Sequence, residues 1–369
     1  MDTIFLPPKY FRGKEVLEQI GDVCKPIGDK VILISGEKSL AAVKDRLVKS
    51  LEQSGMEIID TFWYGGECSW DNINGLSEKV SSSRANLIIS IGGGKSLDTG
   101  KVVAHKAGLP VVTVPTIAAT CAPFTPLSII HTPEGFYLEN CLDAAIPQAI
   151  FADTEIIASA PDRLLFAGMG DTLAKWYELR ATTSRIPKTS WTIAAVGLAK
   201  SCYDVIVEFG PDAKVSVEKN ESSHALEQVV DAIIWHAGMS SVLGGDKCRG
   251  AAAHAIYFGF TNIDEAHKKY HGELVGYGNL CLLELEGRPE EEITEAVNLA
   301  KAIGVPITLD EICSLSDEDI QIVAKVAVGS NEMGYMPVKV EAADAVKAIY
   351  AINEKGKRIN IFNLVSIEG

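Results

Sequence analysis

The sequence predicts an α/β domain with a doubly wound parallel sheet, followed by an all-helical domain. Apolar runs of strand length alternate with helical segments in the first half of the chain. After residue 161 the apolar residues recur with the 3.6-residue period of helices, and no strand pattern of comparable strength follows residue 153. The length of 369 residues fits two domains. We therefore expect the first domain at residues 1–158 and the second at 159–369.

The strands of the predicted sheet are short buried runs with helices between them. The strands are expected at residues 30–35, 58–63, 87–91 and 110–115, and the helices at 41–53, 73–82 and 96–107. Ligands of such sheets bind outside the carboxyl ends of the strands. The ends of three strands, at residues 35–38, 92–95 and 116–120, are therefore expected to line one pocket.

Residues 121–155 change character, and the helical half follows them. Short strands are expected at 127–132, 136–139 and 149–153; the first two form a hairpin around a Pro/Gly turn and flank the sheet. The helices of the second domain are expected at residues 163–181, 189–209, 223–242, 250–259, 272–285, 290–303, 317–328 and 342–353.

Composition excludes several function classes. The formal net charge of −15 argues against nucleic acid, whose binders carry basic patches, and against an anionic membrane surface. No apolar run approaches the ~18 residues of a membrane span. The first residues lack a basic stretch before an apolar core, so we expect no secretion signal. The eight cysteines form no C-x-x-C pair and are interpreted as reduced thiols of a cytoplasmic protein.

Three consecutive glycines, residues 92–94, stand between a buried strand and a helix. Glycine lets the backbone approach a ligand closely, and a helix start offers free N–H groups to an anion. The sequence therefore favours a phosphate-binding turn here over a plain strand-to-helix turn. The pattern is neither the G-x-G-x-x-G fingerprint nor a Walker loop. Asp98 and Lys101 are three residues apart, so they share one face of the following helix.

One carboxylate and two imidazoles in the helical half are candidates for a divalent metal site. Asp171, His254 and His271 form an O,N,N set that suits Zn²⁺ or Fe²⁺ with open positions. Spacing alone leaves other interpretations open. Asp171 would also serve as a helix cap, His254 as a core histidine and His271 as a surface loop residue.

Five short motifs resemble the iron-containing alcohol dehydrogenase superfamily, and most of all its glycerol dehydrogenase branch. They are residues 92–101 (GGGKSLDTGK), 114–120 (VPTIAAT), 168–171 (GMGD), 253–254 (AH) and 271–273 (HGE). They occur in the family's order and span most of the chain. The resemblance implies a Rossmann-like nucleotide-binding domain followed by a helical domain, as in dehydroquinate synthase and the iron-type alcohol dehydrogenases.

The resemblance also implies which residues bind the metal and the dinucleotide. Asp171, His254 and His271 are expected to hold the metal. The expected dinucleotide contacts are Gly93, Gly94, Lys95, Asp98, Thr116, Ala119, Thr125, Leu127 and His131. Other branches have a third histidine one helical turn after the aspartate. Lys175 stands there, which favours the three-ligand, typically zinc, branch over the iron branch.

The chain departs from glycerol dehydrogenases in the loop after residues 114–118. Cys121 replaces an aspartate that helps to bind the polyol, and Ala119 and His131 replace a serine and a tyrosine. Losing the carboxylate makes an anionic substrate more acceptable. The segments 120–122 and 170–178 are more like the hydroxycarboxylate dehydrogenase subgroup, which acts on 2-oxo acids. Lys175 is either a partner for a substrate carboxylate or a solvated residue, and Cys121 is either a small loop residue or a fourth, soft metal ligand.

The expected function is NAD(P)-linked, metal-dependent hydride transfer at the CH–OH group of a small alcohol, polyol or 2-hydroxy acid. Glu37, after the first strand, would bind the ribose of NAD, whereas Lys38 would hold the phosphate of NADP, and we favour NAD. Two alternatives stay open: a dehydroquinate synthase-like lyase that uses NAD transiently, and a non-catalytic NAD-binding protein. Family members usually form homo-oligomers, from dimers to octamers.

Overall fold

The computed structural model describes residues 4–365, apart from the side chains of residue 247 and of residues 362–365. The chain divides into two compact units. The first consists of residues up to Asp162 together with Val215–Val242, and the second consists of Arg163–Lys214 together with residues from Leu243 onward. The expected division into 1–158 and 159–369 differs from these units, because it assigns Val215–Val242 to the helical domain.

A six-stranded, all-parallel sheet forms the centre of the first unit. Its strand order is β1-β8-β5-β4-β2-β3. The strands are β1 (Tyr10–Gly13), β2 (Lys30–Ser35), β3 (Glu57–Trp63), β4 (Leu87–Gly92), β5 (Val111–Pro115) and β8 (Pro147–Asp153). Strands β2, β4 and β5 are neighbours, so the three strand ends expected to line one pocket lie side by side, as the sequence predicts.

Helices cover both faces of this sheet, which is why its central strands β2, β4 and β5 are buried on both sides. Val31 and Leu33 of β2 belong to one buried cluster, and Ile32 and Ile34 belong to another on the opposite face. The helices before the second unit are α1 (Ile20–Cys24), α2 (Glu37–Gln53), α3 (Trp70–Ser81), α4 (Gly94–Ala107) and α5 (Thr154–Ala158).

Two parts of the sheet were not specified by the sequence-based expectation. Strand β1 was not expected, because its four residues carry little apolar signal. Residues 149–153 were expected to form a strand, with no position in the sheet assigned to it, and β8 lies within the sheet, between β1 and β5. The predicted hairpin is confirmed: β6 (Ser128–His131) pairs antiparallel with β7 (Tyr137–Cys141) as a separate two-stranded sheet.

The regular secondary structure that follows α5 in the described residues is helical, as predicted. The α-helices are α6 (Arg163–Thr183), α7 (Ser190–Glu218), α8 (His224–Asp231), α9 (Ala237–Gly244), α10 (Ala252–Phe260), α11 (His271–Leu285), α12 (Glu290–Ala302), α13 (Leu309–Ile312), α14 (Asp317–Gly329) and α15 (Ala342–Val365). A π-helical turn, Ala232–His236, separates α8 from α9. None of the helices within residues 4–365 combines the length and apolar composition needed to cross a membrane.

Candidate metal centre and dinucleotide-binding turn

Three helices of the second unit carry the expected metal ligands. Asp171 lies in the middle of α6, His254 lies in the first turn of α10, and His271 is the first residue of α11. These residues are far apart in sequence, so only helix packing brings them together.

Glycines at the helix contacts explain why the three ligands meet. A Cβ atom on Gly272 would lie 1.8 Å from the carbonyl oxygen of Ala167, and one on Gly170 would lie 2.3 Å from the carbonyl oxygen of Gly272. The backbones of α6 and α11 therefore touch directly beside Asp171 and His271. A Cβ on Gly278 of α11 would lie 2.4 Å from the carbonyl oxygen of Ala253, which fixes α10 in the same way.

The three side chains converge on one point. The Nε2 atoms of His271 and His254 lie 3.3 and 3.6 Å from Asp171 Oδ1. One ligand atom from each residue lies within 4.8 Å of the other two. Tyr257 of α10 packs edge-on against the His271 ring, with centroids 4.3 Å apart, and so limits the orientation of that ring. The arrangement presents one oxygen and two nitrogens to a common centre.

Glu178 orients His254 from behind. Its Oε2 lies 2.6 Å from His254 Nδ1, and its Oε1 accepts hydrogen bonds from the backbone N–H groups of Ala251 (2.6 Å) and His254 (3.0 Å). A carboxylate on Nδ1 leaves Nε2 as the nitrogen that faces the centre. Glu178 is almost fully buried, with 1% exposure, and it is seven residues after Asp171 on the same face of α6.

Electrostatics hold the acids of this centre in their charged forms. Burial raises the pKa of Asp171, but Lys175, His271 and His254 outweigh burial, so the net pKa is lowered. Burial likewise raises the pKa of Glu178, and His254 together with the backbone donors lowers it by more. Burial lowers the pKa of His254, but Glu178 raises it above its ordinary value. The centre thus contains buried negative charge beside imidazoles, which suits a cation.

The residues present fit a divalent metal ion. Asp171 Oδ1 is buried and has no aligned hydrogen-bond partner among the described residues, although two imidazole nitrogens lie near it. A buried polar atom without a partner is costly unless an ion satisfies it. Two histidines and one carboxylate, with a carboxylate behind one histidine, are typical of zinc sites and of non-haem iron sites.

Lys175 lies one helical turn after Asp171, at the position where the resemblance expects a histidine in the four-ligand branch. Its side chain is buried, with 6% residue exposure, and its charge acts on both Asp171 and His254. The interpretation of Lys175 as a solvated surface residue is therefore wrong.

The triple glycine in the first unit forms the predicted strand-to-helix turn. Gly92 has a φ of +139°, which favours glycine, and Gly93 caps α4 with no side chain in the way. A Cβ on Gly93 would lie 2.7 Å from Ile117 Cδ1, and one on Gly94 would lie 3.5 Å from Thr120 Oγ1. The start of α4 therefore lies close against the segment after β5.

Strand ends on both sides frame this turn. The N–H of Thr116 donates to the carbonyl of Gly92 (3.1 Å), and a Cβ on Gly92 would lie 3.2 Å from Ser39 Oγ in the first turn of α2. Glu37, the first residue of α2, is exposed, as is Lys38 beside it. The structure therefore brings the expected phosphate turn and the start of α2 together.

Two charged residues of α4, just after the glycine turn, have protein partners. Lys95 forms an ion pair with Glu67, a residue that the sequence did not single out. Asp98 is buried, with 6% exposure; its Oδ1 lies 2.9 Å from Lys101 Nζ, and its Oδ2 accepts from the N–H of Ile129 (3.1 Å). Asp98 is thus held inside the protein at its expected position on the face shared with Lys101.

The remaining expected contacts lie in the segment after β5. Thr125 is buried, and its N–H donates to the carbonyl of Cys121 (3.2 Å). Leu127, Ala119 and Cys121 are partly exposed. His131 ends β6, where its N–H donates to the carbonyl of Cys68 (2.8 Å). Cys121 lies in the first unit, and the metal ligands lie in the second.

Known proteins resemble this chain in both sequence and fold. Residues 7–154 match the family model described as iron-containing alcohol dehydrogenase. The chain is 37% identical over 367 residues to a glycerol dehydrogenase of Escherichia coli O6:H1 (strain CFT073), covering 97% of this chain and 98% of that one. The chain belongs to the iron-containing alcohol dehydrogenase family.

Two further relatives describe the position of the chain within the family. The crystal structure of glycerol dehydrogenase from Schizosaccharomyces pombe matches with a TM-score of 0.88 and 28% identity, covering 97% of this chain and 92% of that one. Hydroxycarboxylate dehydrogenase A of Escherichia coli (strain K12) is 31% identical over 326 residues, covering 87% of this chain and 88% of that protein. This family member is therefore a glycerol dehydrogenase-like oxidoreductase. The sulfoacetaldehyde reductase of Bifidobacterium kashiwanohense, which shares the fold at 16% identity and a TM-score of 0.77, was solved in complex with NAD⁺.

Sequence reasoning missed two residues of this dehydrogenase that the structure brings to the sites, and it did not recognise the role of a third. Glu178 stands on the Asp171 face of α6, so the i, i+4, i+7 spacing of Asp171, Lys175 and Glu178 was the available signal. Glu67 gave no local signal, because its partner Lys95 is 28 residues away. Lys101 was noted only for its spacing from Asp98.

Proposed function

We propose that this protein is an NAD-linked, zinc-dependent dehydrogenase of a small 2-hydroxy acid or 2-oxo acid. The observation that carries the metal part of the proposal is the meeting of Asp171, His254 and His271 around a buried carboxylate oxygen that has no aligned partner among the described residues. Zinc is favoured over iron because an ammonium group, Lys175, stands where the four-ligand branch has a histidine.

Each residue of the centre has a distinct role in this proposal. The ion is held by Asp171, His254 and His271. Glu178 keeps the proton of His254 on Nδ1, so that Nε2 can bind the metal ion. A divalent ion there supplies a Lewis acid, and a nicotinamide dinucleotide supplies the hydride acceptor. The glycine turn offers the backbone N–H groups of a helix start to the pyrophosphate.

The charge around the metal centre supports an acid substrate. Asp171 and Glu178 are buried carboxylates beside the histidines of the centre, and Lys175 is a buried cation whose charge acts on Asp171. Together with a divalent ion these three groups leave one net positive charge, which favours an anion over a neutral polyol. Cys121 supports the same substrate class, because it replaces the carboxylate that the resemblance expects to bind polyol hydroxyls.

A substrate screen tests the proposal directly. The full-length protein is assayed with glycerol, 1,2-diols, 2-hydroxy acids and 2-oxo acids, each with NAD(H) and NADP(H), while absorbance of the reduced nicotinamide is followed. We expect turnover with a hydroxy acid–oxo acid pair, loss of turnover after chelation and recovery with Zn²⁺. Binding of NAD without turnover or metal would indicate the non-catalytic alternative, and turnover without net NADH would indicate the lyase.

A lysine variant separates the substrate class from the general reaction. Lys175→Met removes the charge but keeps most of the length of the side chain. We expect kcat/KM to fall more for a 2-oxo acid than for a neutral hydroxyketone, by about tenfold or more, because a charged hydrogen bond contributes about 1.5–3 kcal/mol. Equal losses for the two substrates would contradict a role for Lys175 in recognising a carboxylate.

A further inference from the structure

Lys101 is buried deep in the first unit, yet it carries a charge. It lies in α4, two turns after the glycine turn, and its residue exposure is 0%. A lysine in the interior is costly unless its ammonium group is paired and its protons are satisfied. The partners of Lys101 therefore show what the residue does.

The three protons of the Lys101 ammonium face three carbonyl oxygens of one segment. Nζ donates to the carbonyls of Ala122 (2.8 Å), Thr125 (2.8 Å) and Leu127 (2.6 Å). These bonds use all the protons that a lysine offers. One cation thus gathers the turn 122–127 around itself.

Asp98 completes this arrangement from the same helix. Its Oδ1 lies 2.9 Å from Lys101 Nζ and compensates the charge, but it has no aligned donor because the protons point at the carbonyls. Its Oδ2 accepts from the N–H of Ile129, and Ser128 Oγ donates to its backbone carbonyl (3.1 Å each). Asp98 and Lys101 therefore hold both the turn and the start of β6.

We propose that Lys101 is a positioning residue that sets the conformation of residues 121–129 for binding of the dinucleotide. This inference rests on the proposed function. Lys101 binds the carbonyls of Thr125 and Leu127, which are themselves expected dinucleotide contacts. Its helix, α4, also begins at the glycine turn. Helix α4 thereby ties the expected pyrophosphate contact to the expected contacts of the segment after β5.

The geometry demands lysine rather than any cation. An ammonium group directs its three protons tetrahedrally, whereas the guanidinium of arginine is a planar fork with donors in one plane. Arginine would keep the charge beside Asp98, but it cannot bind three carbonyls that surround a single nitrogen. Lys101→Arg therefore separates the contribution of geometry from that of charge.

Four variants of the full-length protein test the proposal. Lys101→Met/Asp98→Asn removes both charges together, so no buried charge is left alone, and asparagine still accepts from the N–H of Ile129. Lys101→Met alone is the simpler companion, and Lys101→Arg keeps the charge. Lys106→Met is the matched control, because Lys106 lies on the exposed side of α4 and contacts Asn74.

Three quantities are measured for each variant: hydrogen exchange of residues 121–129 without cofactor, the Kd for NAD⁺, and the Kd for Zn²⁺ by competition with a chelator. In the double variant and in Lys101→Arg we expect exchange in this segment and the Kd for NAD⁺ to rise by about tenfold or more, as the loss of charge-assisted hydrogen bonds predicts. The Kd for Zn²⁺ should stay within about twofold, because its ligands lie in the second unit. Lys106→Met should match the wild type in all three.

The outcomes separate this inference from the proposed function. If the wild type binds no nicotinamide dinucleotide, the proposed function fails, whatever the exchange shows. If the wild type binds NAD⁺ but exchange or NAD⁺ affinity is unchanged in the double variant, the positioning role is overturned. A parallel loss of Zn²⁺ affinity would mean general destabilisation and would also overturn it. Wild-type behaviour of Lys101→Arg would overturn the requirement for three directed protons.

Discussion

Replacing Glu178 by glutamine tests how the metal centre is built. The two residues have nearly the same shape, so the change removes the charge and turns one acceptor into a donor. Both oxygens of Glu178 are in use: Oε2 faces His254 Nδ1, and Oε1 accepts from two backbone N–H groups. Glutamine cannot satisfy all three donors.

Either orientation of the glutamine amide damages the site. If its NH₂ group faces the backbone, two buried N–H groups lose their acceptor. If its NH₂ group faces His254, Nδ1 must become an acceptor and the proton moves to Nε2. A protonated Nε2 cannot bind a metal, and Nε2 is the nitrogen that lies 3.6 Å from Asp171.

We expect Glu178→Gln to weaken Zn²⁺ binding by about 10- to 100-fold, the usual effect of losing such an outer carboxylate. This corresponds to about 1.4–2.7 kcal/mol of binding free energy. The assay is competition with a chromophoric chelator at fixed pH and ionic strength. Glu286→Gln is the control, since Glu286 is an acid of the same unit that pairs with Arg180 instead. A Glu178→Gln protein that binds Zn²⁺ within twofold of the wild type would refute the reasoning.

Three further predictions concern packing, cofactor choice and pH. Gly272→Ala places a methyl against the carbonyl of Ala167, so we expect loss of Zn²⁺ binding and a lower Tm; an unchanged Tm would show that α6 and α11 separate freely. Glu37→Ala should raise the Kd for NAD⁺ about fivefold and so reduce the preference of the enzyme for NAD⁺ over NADP⁺. An unchanged ratio of the two Kd values would show that Glu37 does not bind the ribose. In chelated protein the pKa of Glu178 lies below 4.5 and that of His254 above 6.5. Glu178 therefore contributes fully to stability above pH 4.5, and this contribution is lost as the pH falls through its lowered pKa. His254 contributes fully below pH 6.5, and its contribution is lost as the pH rises through its raised pKa. Glu178→Gln should consequently lower the free energy of unfolding, measured in urea, by most between pH 4.5 and 6.5. An equal loss of unfolding free energy at about pH 9 would contradict this pH dependence.

The sequence alone determined the kind of fold and the location of its main parts. Buried strands such as Leu87–Gly92 are visible because helices cover both sheet faces, so that every position is buried and most are apolar. The long helices are visible because their apolar residues keep the helical period. Local signals failed for Tyr10–Gly13, where a four-residue strand has too little pattern. They indicated the last strand, Pro147–Asp153, but not its position in the sheet, because strand order is set by distant neighbours.

For the candidate site too, the sequence predicted one part and the tertiary structure decided another. The types of the ligands were readable from the sequence, and the family resemblance selected Asp171, His254 and His271 from among seven histidines and many acids. Tertiary structure alone decided the partners: Glu178 behind His254, and three carbonyls around Lys101. Those contacts join residues that are 21 to 76 positions apart, and no local rule of spacing specifies which buried charge meets which acceptor. Burial decides which partner a charged group has, because a charge inside the protein cannot be solvated by water and needs a protein partner instead.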